Sequence, residues 1–419
     1  MNANLLTLIL FIVVVLVGFF KKMNVGILAI AVAVIAGRVF GVSDKEIISS
    51  FSVSLFVTLV GITLLFAVVN QTGALELCAR KVVSLAGNRV WIIPIFIYVA
   101  GFAIAACGPG AIPSLAIIPP IAVSLALAVG YNPVMLALIG EAGLMAGRMT
   151  SITPEGVLIT GLASEQGITN VMNSVLISNT ITTVLFSLVL YFAYKGFKVK
   201  SAGVTLSIKD TDKFTSKQII SLLGMVAMLV LIIFFKVNVG LAAFFVGVTL
   251  IFFNVADETK CIKSVPWGTV LLVMGVGVLM NIVNKSGGIE LLSNALANVM
   301  TPKTAAPIMG ISAGLMSWVS SALGVVYPTL VPTVGAIANS VGGGVSPIAL
   351  ISAIGAGGSC AGISPISTGG ALILTALASN KPNFSKEEQS KVFVELFLWA
   401  VGALALIAFL AFIGVFRVY

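Results

Sequence analysis

Apolar runs of roughly 17–25 residues follow one another along this chain from Leu5 almost to its last residue. Each is long enough to cross the hydrocarbon layer as a helix. They fill the whole length, which excludes a soluble domain held by one anchor. Charged residues make up only 9% of the chain, against about 25% in a typical soluble domain. No packing scheme hides so much apolar surface in water, so the expected solvent is a bilayer. The first run, Leu5 to Phe20, lacks a basic flank and a small-residue cleavage site, and is expected to remain as a first helix.

Within these runs the sequence repeats itself. FFKKMNVG (19–26) recurs as FFKVNVG (234–240), NQTGALEL (70–77) as NKSGGIEL (284–291), and ITPEG (152–156) as ISPISTGG (363–370). The offset stays between about 211 and 215. Ordered matches at a nearly constant offset indicate two copies. The expected division is residues 1–195, a cytoplasmic linker at 196–213, and residues 214–419.

The first copy is expected to hold helices near 4–20, 25–41 and 52–71. A stretch over 90–129, broken by CGPGAIP (107–113), follows them. A helix near 133–147 then resumes to about 163 after MTSITPEG (149–156), and a last helix covers 171–194. The second copy repeats this with helices at 216–235, 239–254 and 267–284. A broken stretch at 304–341, a broken helix at 346–379 and a helix at 392–416 complete it. If each broken stretch is a re-entrant hairpin, each copy crosses five times and the second is inverted. Lys and Arg then divide 16 to 6 between the two faces, with Arg148 inside the membrane. Cytoplasmic loops carry the excess of Lys and Arg, so both termini are expected outside. The fold class expected is therefore an all-α polytopic membrane protein of two inverted-topology repeats. It would have about ten crossings, two re-entrant hairpins and two broken helices.

Inverted repeats with interrupted helices mark secondary transporters, whose sites lie near the midplane at the breaks. Breakers concentrate at CGPGAIP, MTSITPEG, SSALGVVYP (320–328) and SCAGISPISTGG (359–370). A helix N-terminus there suits a carboxylate. Freed carbonyls and hydroxyls suit a hard cation such as sodium. Three charged residues fall at membrane depth, Glu141, Arg148 and Glu155, all in the first copy, with Ser359 opposite Arg148 in the second. Arg148 can hold a substrate carboxylate in a two-point fork, or it can pair internally with Glu141 or Glu155. Glu155, beside Pro154, is a candidate for a coupled proton or cation, whereas Glu141 reads as structural. Ser178-Asn179-Thr180 lies inside a continuous helix and reads as helix packing.

Other classes find little support. The chain has no histidine, and its four cysteines form no C-x-x-C pair, so neither a haem nor a zinc site nor a disulfide framework is indicated. No nucleotide-binding loop and no intramembrane Ser/His or paired Asp arrangement points to an enzyme. The net charge of +9 reads as an orientation signal, not a nucleic-acid surface. An inorganic-ion carrier or sodium/proton antiporter, and less so a channel, remain as rivals to an organic-anion carrier.

The broken hairpin followed by a broken helix, twice over, resembles the ion transporter superfamily. The stretch GAIPSLAIIPPIAVSLALAVGYNPVMLALIGEAGLMAGRMTSITPEGV (110–157) is most similar to dicarboxylate carriers of the MatC type, relatives of the divalent-anion sodium symporters. The resemblance implies an inner-membrane homodimer, with a scaffold part and a part that carries substrate across as an elevator. Carried over by position, the substrate would be held by Gly108, Pro109, Gly110, Ser151 and Thr153, joined by Arg148. The second site would use Ser320, Ser321, Gly324, Ser364, Ser367 and Thr368. A coupling cation, sodium in the symporters, would lie at Gly108, Thr153, Glu155 and Gly156 beside the first tip and at Ser321 and Ser364 beside the second. The tips depart from the symporters' Ser-Asn-Thr motif, reading Cys-Gly-Pro-Gly and Ser-Ser-Ala-Leu-Gly, so proton coupling or exchange stays open.

Overall fold

The computed structural model describes residues 3–21, 23–86, 89–199, 212–381 and 384–417, and among them every regular element is helical. The first stretch gives α1 (Ala3–Lys21), α2 (Val25–Phe40), α3 (Asp44–Ser49), α4 (Val53–Gln71) and α5 (Ala74–Ser84). Next come α6 (Ile93–Ala106), α7 (Ala111–Val129), α8 (Pro133–Gly147), α9 (Pro154–Ser164) and α10 (Val171–Ala193). Beyond the linker lie α11 (Ser216–Ile233), α12 (Val239–Phe252), α13 (Glu258–Ser264), α14 (Trp267–Lys285) and α15 (Gly288–Ala297). The rest are α16 (Ala305–Val319), α17 (Tyr327–Leu330), α18 (Val334–Val341), α19 (Pro347–Cys360), α20 (Thr368–Asn380) and α21 (Lys386–Phe412).

Among the described residues, eight helical segments are long and apolar enough to cross a membrane, and shorter apolar helices accompany them. Large apolar side chains such as Phe234, Phe245 and Phe252 face outward, as lipid-facing surfaces require. The expected crossings lie where the sequence put them. Four short helices, α3, α5, α13 and α15, had not been expected. The last helix starts at Lys386, earlier than the expected 392, because Ser385 caps it in a box with Glu388. Most of the linker, 200–211, lies outside the described residues.

Helix starts are set by caps that stand 214 residues apart. Asn24 caps α2 and Asn238 caps α12; Ser43 caps α3 and Asp257 caps α13; Asn132 caps α8 and Ser346 caps α19. Thr153 and Ser367 stand at the starts of α9 and α20 at the same spacing. This register corrects one pairing. Arg148 stands opposite Gly362, not Ser359, and Glu155 stands opposite Gly369.

Small residues let the helices pack at backbone distance. A Cβ on Gly143 of α8 would land 2.0 Å from the Tyr98 carbonyl oxygen of α6, and one on Gly357 of α19 would land 2.1 Å from Gly310 O of α16. Two further crossings join the halves reciprocally. Gly26 of α2 packs on Leu272 of α14, and Gly240 of α12 packs on Thr58 of α4. One group of helices, α2, α4, α12 and α14, thus mixes both halves. It meets the broken elements where α4 faces α9 and α14 faces the second hairpin.

Candidate functional site

The first hairpin is α6 and α7, turned by Cys107-Gly108-Pro109-Gly110. Gly110 has φ 68° and ψ −149°, a region essentially reserved for glycine. Its missing side chain matters as well, because a Cβ there would stand 2.4 Å from Glu155 Oε2. Gly108 likewise leaves room for the ring of Phe66 on α4.

The first break is built by Thr153. Its hydroxyl accepts from the Gly156 N–H at 3.1 Å, and lies 2.5 Å from the Arg148 carbonyl and 2.8 Å from that of Thr150, toward which it donates. Pro154 then starts α9, where its missing N–H costs nothing. Thr150 donates to the Ala106 carbonyl at 2.9 Å and ties the break to the tip. The turn brings Glu155 back under Arg148, and Arg148 Nη2 donates to Glu155 Oε1 at 2.9 Å with both side chains buried. The same oxygen takes the Ala111 N–H at the start of α7 at 3.3 Å. Glu155 Oε2 and Arg148 Nε are buried with no hydrogen-bond partner. Arg148 Nη1 reaches only the Met145 sulfur, at 3.6 Å.

Of the two carboxylates open to Arg148 in sequence, the structure pairs it with Glu155. Glu141 stands seven residues back along a helix, about 10.5 Å of rise, whereas Glu155 is folded back by the turn.

Pro109, Ala111, Pro154 and Glu155 line a cavity of about 200 Å³, closed on its far side by Thr63, Phe66, Asn70, Ser264 and Thr269. A second cavity, about 100 Å³, is lined by Ser50, Ser52, Asn281, Asn284, Pro328 and Glu165, among others. Their linings correspond. Thr63, Phe66, Asn70, Ser264 and Thr269 of the first stand 214 residues from Gly277, Met280, Asn284, Ser50 and Leu55 of the second. Both are smaller than the roughly 300–1,000 Å³ of drug-sized pockets, a size suited to a small metabolite.

The second tip and break hold together differently. Ser321 caps the turn at 322–326, accepting from the Gly324 N–H at 3.1 Å, and Ser320 donates back to the Met316 carbonyl at 2.6 Å. Helical structure resumes at once, so the open tip is confined to Ser320 and Ser321, narrower than the nine residues read from sequence. Gly324 packs on Leu272 of α14. Ser364 is buried and accepts from the Ile366 N–H at 3.4 Å. Ser367 caps no N–H with its side chain, and Thr368 is exposed, as is Ser151 in the first break. Among the described residues, no hydrogen bond joins this tip to this break.

The first break therefore brings together Gly110, Arg148, Thr153, Glu155 and Gly156, while Ser151 points away. Asn179 does pack helices: its Nδ2 donates to the Met145 carbonyl at 2.6 Å and steadies the end of α8. Four residues facing the tips, Thr63, Asn70, Thr269 and Asn284, were not singled out. Their signal was present, since Asn70 and Asn284 open the repeated NQTGALEL and NKSGGIEL.

The sequence model of the family described as CitMHS, citrate transporter, matches residues 7–357 of the 419. The chain belongs to the CitMHS family. Its membership makes it a multi-pass membrane transporter and not an enzyme. Two solved transporters share the fold. The Alcanivorax borkumensis YdaH transporter, described as having an unusual topology, is 13% identical with a TM-score of 0.62, over 90% of this chain and 89% of that one. Neisseria gonorrhoeae MtrF, described within a class of antimetabolite efflux pumps, is 11% identical with a TM-score of 0.59, over 87% and 83%. No curated protein sequence matches the chain.

Proposed function

We propose that this CitMHS transporter is a secondary carrier of small di- or tricarboxylates, coupled to a cation and working by an elevator motion. The observation that carries the reading is the seat at the first break. There the N-termini of α7 and α9 and the Arg148 guanidinium converge on one carboxylate oxygen of Glu155. Such a constellation binds a carboxylate, and here a tethered one occupies it. A substrate carboxylate entering the neighbouring cavity would take the same donors, displacing Glu155. A cation or proton would then neutralise the released glutamate. The family description favours citrate among the acids, and the likeness to MatC-type carriers keeps C3–C4 dicarboxylates beside it.

In this reading the two copies are inverted, 1–195 and 214–419, with the linker cytoplasmic and both termini outside a bacterial-type inner membrane. The reciprocally packed helices α2, α4, α12 and α14 form the scaffold. The hairpins and broken helices move against it, in a homodimer. Gly108, Pro109, Gly110, Thr153 and Gly156 shape the first seat. Ser320, Ser321, Gly324, Ser364, Ser367 and Thr368 shape the second.

Uptake of labelled citrate and of a labelled C4 dicarboxylate into liposomes holding the purified protein tests this, with inward sodium and proton gradients imposed separately. Saturable uptake driven by one of the gradients is expected. No uptake of either acid by protein that still melts cooperatively would overturn the substrate assignment.

A further inference from the structure

The first break uses both of its charged residues on each other. The third charge at membrane depth does not take part. Glu141, in the middle of α8, is fully buried, and neither carboxylate oxygen has a hydrogen-bond partner. It points at the second break. A Cβ built on Gly369 would lie 2.9 Å from Glu141 Oε2, 3.3 Å from Oε1 and 2.7 Å from the Gly362 carbonyl oxygen. Gly362 and Gly369 are the positions that stand 214 residues after Arg148 and Glu155. The space that an ion pair fills in the first break is therefore left open by two glycines in the second, and Glu141 enters it from α8.

The surroundings suit both forms of this carboxyl group. The helices packed against α8 are α6, α7, α10, α19 and α20, and none contains a charged residue. Their titratable groups are Tyr98, whose hydroxyl is bonded to Thr183, Tyr191 at the far end of α10, and Cys360, whose thiol faces Asn179. At the α8 C-terminus, Arg148 is held by Glu155. A carboxylate buried with no counter-charge is expensive, so the neutral acid fits this cage. Its O–H has an acceptor beside it in the Gly362 carbonyl. The ionised form has a different support: the start of α20, a helix of 13 residues whose Ser367 side chain caps no N–H. Its free N–H groups and partial positive charge favour an anion. A sodium ion would need several oxygen ligands. Here the carboxylate and one carbonyl stand beside a helix end that repels cations.

We propose that Glu141 is the proton-carrying residue of this transporter, loaded and unloaded at the second break across Gly369. This rests on the carrier reading above. One proton is taken from water on one side, through the exposed surface at Ile366 and Thr368, and given to water on the other; nothing is oxidised or reduced. Glu155, which the sequence favoured for this role, is engaged by Arg148.

In liposomes, an inward proton gradient is expected to drive citrate accumulation by the wild type, and a proton ionophore to abolish it. Glu141→Gln, neutral at every pH, should lose gradient-driven accumulation entirely while still exchanging external for internal citrate. Glu141→Asp should restore a proton response with a displaced pH profile. A Glu141→Gln protein that still accumulates citrate in response to the proton gradient, or a wild type driven by sodium alone, would overturn the proposal. Infrared difference spectra between acid and alkaline pH give a readout that needs no substrate. The carboxyl C=O band of a dry, titrating acid should be present in wild type and in Glu155→Gln, and absent in Glu141→Gln. If no acid is taken up at all, the carrier reading fails by itself, and persistence of that band in Glu141→Gln still decides against Glu141.

Discussion

The two breaks share a backbone device and differ in what fills it. In each, a helix stops, five or six residues turn, and a Ser or Thr stands at the start of the next helix, Thr153 in one and Ser367 in the other. The first turn is then locked. Thr153 caps α9 and reaches two carbonyls, Thr150 holds the hairpin tip, and Arg148 grips Glu155. The second turn has glycines at the places of Arg148 and Glu155, no side-chain cap, and no bond to its tip. Its nearest bonded pair is Tyr327 and Ser359, hydroxyl to hydroxyl at 3.2 Å. The lesson is that duplication supplies two equivalent cradles, and side chains then divide the work between them. One is a charged, preformed seat for an anion. The other is a looser, neutral pocket reached by a lone carboxyl group.

Breaking the charged side of this contrast should have the largest effect. Arg148→Ala leaves Glu155 buried without its counter-charge, which costs about 3–5 kcal/mol. The melting transition in detergent should fall sharply, while Arg148→Met combined with Glu155→Gln recovers much of the loss. Recovery of transport along with stability in that double variant would show that Arg148 serves the fold alone. Next in size is Gly110→Ala. Both the backbone and the contact with Glu155 oppose it, at about 1–3 kcal/mol. Gly324→Ala at the other tip meets only the flexible end of Leu272 and should cost less. An equal drop in the two melting curves would contradict the difference between the tips. Thr153→Ala removes a cap and should cost about 1 kcal/mol, read from the same transition. The smallest effect is expected for Ser367→Ala, within about 0.5 kcal/mol, because that side chain caps nothing. A loss matching that of Thr153→Ala would mean that the second break is as tightly held as the first.

Much of this was legible without coordinates. Apolar runs set the crossings because a bilayer admits only segments that satisfy their own backbone. Gly and Pro clusters set the breaks because few other residues turn a chain at that depth. The short amphipathic helices α5 and α15 were not legible as spans, since neither is long nor apolar enough to cross. The extent of the second tip was overread, because Pro328 and Pro332 can begin helical turns as well as end them.

The sequence by itself determined a membrane protein of helices interrupted at four places, with three charges among its apolar runs. It could not say how those charges are spent. Glu141 and Glu155 both stand seven residues from Arg148, and spacing alone treats them alike. Tertiary structure decided between them, because a straight helix carries one out of reach while a turn closed by Thr153 brings the other back. The same geometry left Glu141 facing two glycines more than two hundred residues away. A neighbour so distant in sequence is set by how α8 and α20 pack, and no local pattern records it.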